Sequence, residues 1–314
     1  MDIERFIELG KTGIKISPLG LGAMQWGDVK LPSSSSPQPD HKIKEIFQIS
    51  TSSGINFIDT AEMYGNGKSE RHMGMLLGGE TGDLIIATKF MPFPWRLSKR
   101  DLRSALMNSL GRLGLPHIDL YQMHWPFPPV PIKTWMDAMS DAIADGLIRA
   151  VGVSNYSVQQ VEQAQEALAK HQIPLASNQV KFNLLHQHPI SSGLLDYCRK
   201  SGVTIIAYSP LEKGILTGKF TPDNPPTGFR AWRYNRSFLS KIAPLFDVLH
   251  DIGEQNGGKT PAQVSLNWLM VKGAVPIPGA RHIDQASKNA AAMGWQMTPQ
   301  QVATLDQISA KIMQ

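Results

Sequence analysis

Short apolar runs recur along the chain at close to regular intervals. They are "LGLGAM" (19–24), "NFIDTA" (56–61), "DLIIATK" (83–89), "IDLYQMH" (118–124), "IRAVGVSN" (148–155), "LASNQVKFN" (175–183), "TIIAYSPL" (204–211) and "AVPIPGA" (274–280). Most are apolar on consecutive rather than alternate positions, the pattern of a strand buried on both faces of a parallel sheet. Ahead of them, "RFIELGKTGIKISPLG" has two short apolar-alternating stretches around Gly10 and Gly13, which reads as a hairpin.

The intervening segments have helical period and explicit ends. "SKRDLRSALMNSLGRLG" opens with Ser98 three residues before Asp101, repeats Leu102, Leu106, Ser109, Leu110 and Leu113 on one face, and stops at Gly114. Ser157 and Gln160 form a capping-box pair ahead of Val161, Ala164 and Leu168. Thr260 precedes Pro261 at a first helical position, with Gly273 as the stop, and a second Thr-Pro start follows at Thr298.

Eight strands alternating with helices predict an α/β fold, a closed (β/α)8 TIM barrel with an N-terminal β-hairpin and extra helices, spanning residues 1–314 as one domain. The rival is a doubly wound open sheet. A dinucleotide site on that fold needs a Gly-x-Gly-x-x-Gly turn directly after the first strand, and "GLGAMQWG" (20–27) misses the spacing and leads into no helix. Two long stretches rich in turn residues, 30–40 and 221–238, are expected as loops at the carboxyl face of the barrel, where barrel enzymes keep their sites.

Composition narrows the partners. A chain of 314 residues with 42% hydrophobic content can bury a large core. Lys and Arg exceed Asp and Glu by 31 to 26, but the basic residues are scattered, so no nucleic-acid footprint is expected and anionic small ligands are not repelled. The lone Cys198 excludes an intrachain disulfide, and no paired Cys/His spacing points to a metal. The charged start "MDIERFIELG" is unlike a signal peptide and no window reaches a membrane span, so a soluble cytoplasmic protein is expected, with a monomer compatible and the oligomeric state open.

Four polar residues stand at or beyond the ends of three consecutive predicted strands: Asp59, Tyr64 in the loop after it, Lys89 and His124. Each has an ordinary structural reading. Asp59 can be a turn former or cap, Tyr64 a packing residue, Lys89 and His124 solvated or structural groups. On one barrel, however, they share one mouth. A lysine ammonium favours a neighbouring phenolate and so lowers a tyrosine's pKa, a carboxylate keeps a buried lysine charged, and a histidine donates to a substrate oxygen. Together they make a proton donor beside a carbonyl-sized space.

These motifs carry a resemblance. "GINFIDTAEMYGNGKSE", "DLIIATK", "IDLYQMHWP", "AVGVSNYS", "SNQVKFNLL", "AYSPLEKGILTGKF" and "PIPGARHIDQASKNAAAMGW" resemble the aldo-keto reductase family over essentially the whole chain, in particular the bacterial and chloroplast members with a PIPGA segment. The resemblance implies NADPH-dependent reduction of aldehydes or ketones to alcohols. In it Tyr64 is the general acid, Lys89 lowers its pKa, Asp59 pairs with Lys89, and His124 positions the carbonyl. It further implies that Ser154, Asn155 and Gln179 hold the nicotinamide carboxamide and Tyr208 stacks on the ring. Ser209, Pro210 and Leu211, with Gly214, then follow the pyrophosphate.

The residues themselves support parts of this. An aromatic at the end of "AYSPL" suits a flat ring. Gly279 allows close backbone approach, Arg281 suits a phosphate, and Gln285 and Asn289 follow at helical spacing as a site for the adenosine end. Arg281 with no acid before Asp284 favours a 2′-phosphate, hence NADPH over NADH. Two departures stand out: Lys288 where relatives often have Glu, and Phe182 where they often have Tyr, which removes a hydroxyl near the cofactor floor.

For the small-molecule carbonyl substrate, Trp26, Trp95 and Trp125, with Phe90 and Phe127, follow strand ends and are expected to form an apolar collar. A second reading is a cofactor-sensing regulatory subunit similar to potassium-channel β subunits, disfavoured because the barrel hairpin begins at once. A metal-dependent barrel hydrolase is disfavoured for want of ligand spacing.

Overall fold

The computed structural model describes residues 5–27 and 40–313. Of the predicted loop at 30–40, residues 30–39 lie outside that range, and Asp40 opens the helix Asp40–Ser52. The hairpin is present: β1 (Ile7–Glu8) pairs antiparallel with β2 (Lys15–Ile16). It caps the amino end of the barrel, where Leu9, Ile14 and Ile16 pack on Phe57, Leu120, Ala150 and Ile206 from inside it. Gly10 has φ +62°, and a Cβ there would lie 2.6 Å from the Ala176 carbonyl oxygen, so a side chain would lift the hairpin off its seat.

Eight parallel strands follow: β3 (Leu21–Gly22), β4 (Phe57–Asp59), β5 (Ile85–Phe90), β6 (Ile118–Met123), β7 (Ile148–Ser154), β8 (Leu175–Lys181), β9 (Thr204–Tyr208) and β10 (Ala274–Pro276). Each pairs in parallel with its neighbour in sequence. The sheet curls so that its edges meet: the Gly20 amide donates to Pro276 O at 2.9 Å and the Gly22 amide to Pro278 O at 3.1 Å. All six residues of β5 and of β6 are buried, which is why those runs are apolar without alternation. The result is the (β/α)8 barrel architecture, with flanking helices on its outside.

Several predicted strands are shortened, for local reasons. In "AVPIPGA" only Ala274–Pro276 joins the ladder, because Pro276 and Pro278 have no N–H to donate. β9 ends at Tyr208 because Ser209 turns left-handed at φ +51°. "LGLGAM" contributes two strand residues before a 3-10 turn at Met24–Gly27.

The helix signals are borne out. The helix Lys99–Leu113 starts after Ser98, whose backbone amide donates to the Asp101 carboxylate at 2.9 Å, and ends at left-handed Gly114. Val158–Ala169 carries the Ser157/Gln160 capping box and Pro261–Val271 the Thr260/Gln263 one. The stretch 221–238 is less of a loop than its Pro, Asn and Gly content predicts. It holds a short helix, Phe229–Arg233, and its last residues begin the helix Arg236–Gln255, capped by the Asn235 side chain accepting from the Phe238 amide at 3.0 Å. Among the described residues no helix is long and apolar enough to cross a membrane.

Candidate active site

The loop after β4 is built by close backbone contact. Gly65 has φ +60°, and a Cβ on it would sit 1.7 Å from the Gly27 carbonyl oxygen, so the loop lies directly on the Met24–Gly27 turn. The buried Ser69 hydroxyl, 2.8 Å from both the Ala23 carbonyl oxygen and the Thr60 hydroxyl, ties the same pieces together. This stacking carries Tyr64 back over the strand ends.

There Asp59, Tyr64, Lys89 and His124 do come together. Lys89 is fully buried, and its ammonium donates to Asp59 Oδ2 at 2.5 Å, to the Thr60 carbonyl oxygen at 2.7 Å and to the Tyr64 hydroxyl at 3.4 Å. The Tyr64 and His124 rings meet edge-on with centroids 5.9 Å apart. Burial pushes the Lys89 pKa down, but the Asp59 carboxylate and the Tyr64 hydroxyl push it up and prevail, so the amine is charged.

Burial and the Lys89 charge push His124 down to about 3, which leaves a neutral imidazole with one N–H to donate. Its Nδ1 is buried and without a hydrogen-bond partner. For Tyr64 the expected lowering does not win in the protein alone. Burial raises the phenol above its ordinary value, with Asp59 adding to the rise, while Lys89 pulls downward as anticipated but by less. Tyr64 is therefore held protonated, with the Lys89 ammonium 3.4 Å from its hydroxyl.

Ser154, Asn155, Gln179 and Tyr208, which the resemblance assigns to the nicotinamide end, form one hydrogen-bonded patch against these four. Gln179 Nε2 donates to Asp59 Oδ1 at 2.8 Å, and Ser154 Oγ donates to the Gln179 carbonyl oxygen at 2.8 Å. Asn155, left-handed at φ +63°, donates to the His124 carbonyl oxygen at 3.2 Å and accepts from the Tyr208 hydroxyl at 3.0 Å. Beyond β9, Ser209 and then Glu212, Lys213 and Gly214 have positive φ, so the segment Ser209–Pro210–Leu211 to Gly214 bends sharply at both ends. A buried Glu212 secures it, accepting from Lys181 at 2.8 Å, Asn183 at 2.8 Å and the Tyr234 hydroxyl at 2.6 Å.

After β10, Gly279 abuts Gln25, since a Cβ on it would lie 2.1 Å from Gln25 Oε1. Gln285 Oε1 accepts from the Arg281 amide at 2.8 Å, and Asn289 Nδ2 donates to the Gly279 carbonyl oxygen at 3.4 Å. Lys219 and Arg281 are each shifted down, first by burial and then by the charge of Arg230 (and, for Lys219, of Arg281), so the three cations feel one another's charge. Arg230 Nε is buried with no partner. Such a cluster fits a phosphate group.

The aromatic expectations divide. Trp26 is fully buried and packs edge-on against Phe47, and Phe90 is buried against Trp135, so both belong to the core and not to a collar. Phe182 is likewise buried, packed edge-on against Trp268. Trp95 is 71% exposed and stacks on Phe93 at 4.7 Å, while Trp125 stacks on Phe127 at 5.5 Å.

Sequence reasoning missed three features. Arg96 lies over Phe90 and Phe93 and is gripped by both carboxylate oxygens of Glu62, at 2.5 and 3.1 Å, which ties the Tyr64 loop to the Trp95 platform. The Glu212 clamp is the second. The third is Gln122, which donates to Asp59 Oδ1 at 3.1 Å. Its signal was a lone amide in the apolar run of β6, two residues before His124. Among the described residues no group of three or more His, Cys, Asp or Glu is placed to hold a metal ion.

Known proteins share this arrangement of chain. The chain is 35% identical over 298 residues to the chloroplastic pyridoxal reductase of Arabidopsis thaliana, covering 91% of this chain and 81% of that protein. A crystallised thermostable aldo-keto reductase in complex with the inhibitor epalrestat superposes with a TM-score of 0.78 at 33% identity, over 96% of this chain and 99% of that one. The glycerol dehydrogenase of Gluconobacter oxydans superposes with a TM-score of 0.82 at 27% identity, over 98% and 95%. Residues 18–310 match the model of the Aldo/keto reductase family. The chain therefore belongs to the aldo/keto reductase family, oxidoreductases of small carbonyl and alcohol substrates.

Proposed function

We propose that the protein reduces aldehydes or ketones to alcohols with NADPH, using Tyr64 as the proton donor. The observation that carries this reading is the buried Asp59–Lys89–Tyr64 chain with a neutral His124 beside the phenol. Ser154, Asn155, Gln179 and Tyr208 would hold the nicotinamide end, and the turn from Ser209 to Gly214 the pyrophosphate. Gly279, Arg281, Gln285 and Asn289, in and after the PIPGA segment (276–280), would hold the adenosine end. When bound, the cofactor supplies the hydride that no side chain can deliver.

The chain's own residues supply the rest. His124, uncharged, donates an N–H to the carbonyl oxygen and sets its direction toward the phenol. Tyr64 gives its proton to that oxygen as negative charge develops there. Lys89 stabilises the resulting phenolate, and Asp59 keeps the fully buried Lys89 ionised. The Lys219–Arg230–Arg281 cluster supports a 2′-phosphate and hence NADPH over NADH. Trp95 and Trp125 are offered as the apolar side of the substrate site.

The test is loss of the reduced nicotinamide absorbance with NADPH and, separately, NADH, over a panel of aromatic and short aliphatic aldehydes. The panel includes pyridoxal, the aldehyde in the Arabidopsis relative's name. Turnover with NADPH is expected, and Tyr64→Phe should reduce it by roughly a hundred- to ten-thousandfold, the range for loss of a general acid, with NADPH affinity retained. A Tyr64→Phe rate close to the original would show that another group gives the proton.

A further inference from the structure

Asp59, Gln122 and Gln179 come from β4, β6 and β8, alternate strands of the barrel, and their side chains meet at one level, as alternate-strand side chains do in barrel interiors. Two residues earlier on β4 and β6 stand Phe57 and Leu120, both in the apolar barrel core. A polar layer thus lies directly on an apolar one. Its members, fully buried Gln122 among them, hydrogen-bond to one another.

The amide orientations follow from the chemistry. An ionised carboxylate only accepts, so the atoms at 3.1 and 2.8 Å from Asp59 Oδ1 are Nε2 of Gln122 and Nε2 of Gln179. Gln122 Oε1 then accepts the second Gln179 proton, at 3.3 Å. Both N–H bonds of Gln179 are thereby directed inward, leaving its Oε1 as the acceptor for a ligand. Room for this comes from β7. Gly152 is the register partner of Gln122, and a Cβ there would fall 2.8 Å from Gln122 Cγ and 2.5 Å from Ser177 Oγ.

We propose that Gln122 is a positioning residue: it holds the Asp59 carboxylate against Lys89 and turns Gln179 so that an acceptor faces the nicotinamide carboxamide. It thereby joins the proton-donating half of the site to the cofactor half. The proposal rests on the reductase reading above.

Two variants separate this role from space filling. Gln122→Met keeps the volume but neither donates nor accepts. Its turnover should fall roughly ten- to hundredfold, the scale of a hydrogen bond to a charged group, with weaker NADPH binding by calorimetry. Gln122→Glu restores one donor and one acceptor while its carboxyl is protonated, and burial beside Asp59 raises that carboxyl's pKa. Q122E should therefore approach wild-type rate and affinity at acid pH and lose both as pH rises, whereas Q122M stays low throughout.

If Q122M keeps wild-type rate and affinity, or if Q122E follows the wild-type pH profile, Gln122 only fills space and the proposal is wrong. The reductase reading fails differently, by a wild-type protein that binds NADPH and reduces no aldehyde. In that event the calorimetric arm still decides: affinity lost in Q122M and regained by Q122E at acid pH upholds the role of Gln122.

Discussion

His124 makes the protein lose stability in acid by an amount its position defines. The unfolded chain takes up a proton on this imidazole near its ordinary value of 6.5, whereas in the folded protein burial and Lys89 delay uptake to about 3. Because the folded pKa lies below the unfolded one, the unfolded state binds more protons between those values. The stability His124 confers is thus whole above about pH 6.5 and is lost progressively as pH falls toward 3. At about 1.4 kcal/mol per pH unit, the loss between pH 6.5 and 5 is about 2 kcal/mol. Over the full window it approaches about 5 kcal/mol, an upper limit because His124 is only partly buried.

The perturbation is His124→Gln, which removes the titrating group while keeping a polar side chain. Urea unfolding followed by tryptophan fluorescence at about pH 7.5 and about pH 5 measures both proteins in each condition. Wild type should lose about 2 kcal/mol more than H124Q on acidification. Equal losses would mean that His124 titrates with an ordinary pKa when folded, and would refute its depressed pKa and its neutrality in acid. The same reasoning predicts that the wild-type rate shows no histidine-like step between about pH 5 and 8.

Lys89→Met strips the buried Asp59 of its cation and should cost about 3–5 kcal/mol in urea unfolding, with turnover lost as well; a stable, active variant would show the pair to be dispensable. Gly65→Ala forces a Cβ against the Gly27 carbonyl at a left-handed φ. It should cost about 2 kcal/mol or more and slow turnover by displacing Tyr64, both read from unfolding curves and initial rates. Arg281→Ala should weaken NADPH binding roughly tenfold while leaving NADH binding little changed, by calorimetric titration of both; equal effects would move the phosphate contact elsewhere.

What could be read along the chain was what local chemistry decides. Strands buried on both faces need uninterrupted apolar runs, so eight of them announced a barrel, and Ser98, Ser157 and Thr260 announced their helices because a cap satisfies amides of its own first turn. Asp59, Lys89 and His124 stood out because a polar side chain closing a buried strand is a local anomaly. Tyr64 joined them through its loop and the family resemblance.

Tertiary structure alone decided the rest, because those contacts span separations that leave no local trace. Gln122 and Gln179 reach Asp59 across 63 and 120 residues, and only barrel closure puts alternate strands at one level. Trp26 is read as a binding aromatic until packing places Phe47 against it. Lys219, Arg230 and Arg281 feel one another's charge only once the folded chain brings their segments near one another. The direction of the Tyr64 shift depended on burial against charge, and burial belongs to the folded molecule. The chain carried the list of chemical groups; closing the barrel set their distances, and with them their protonation states.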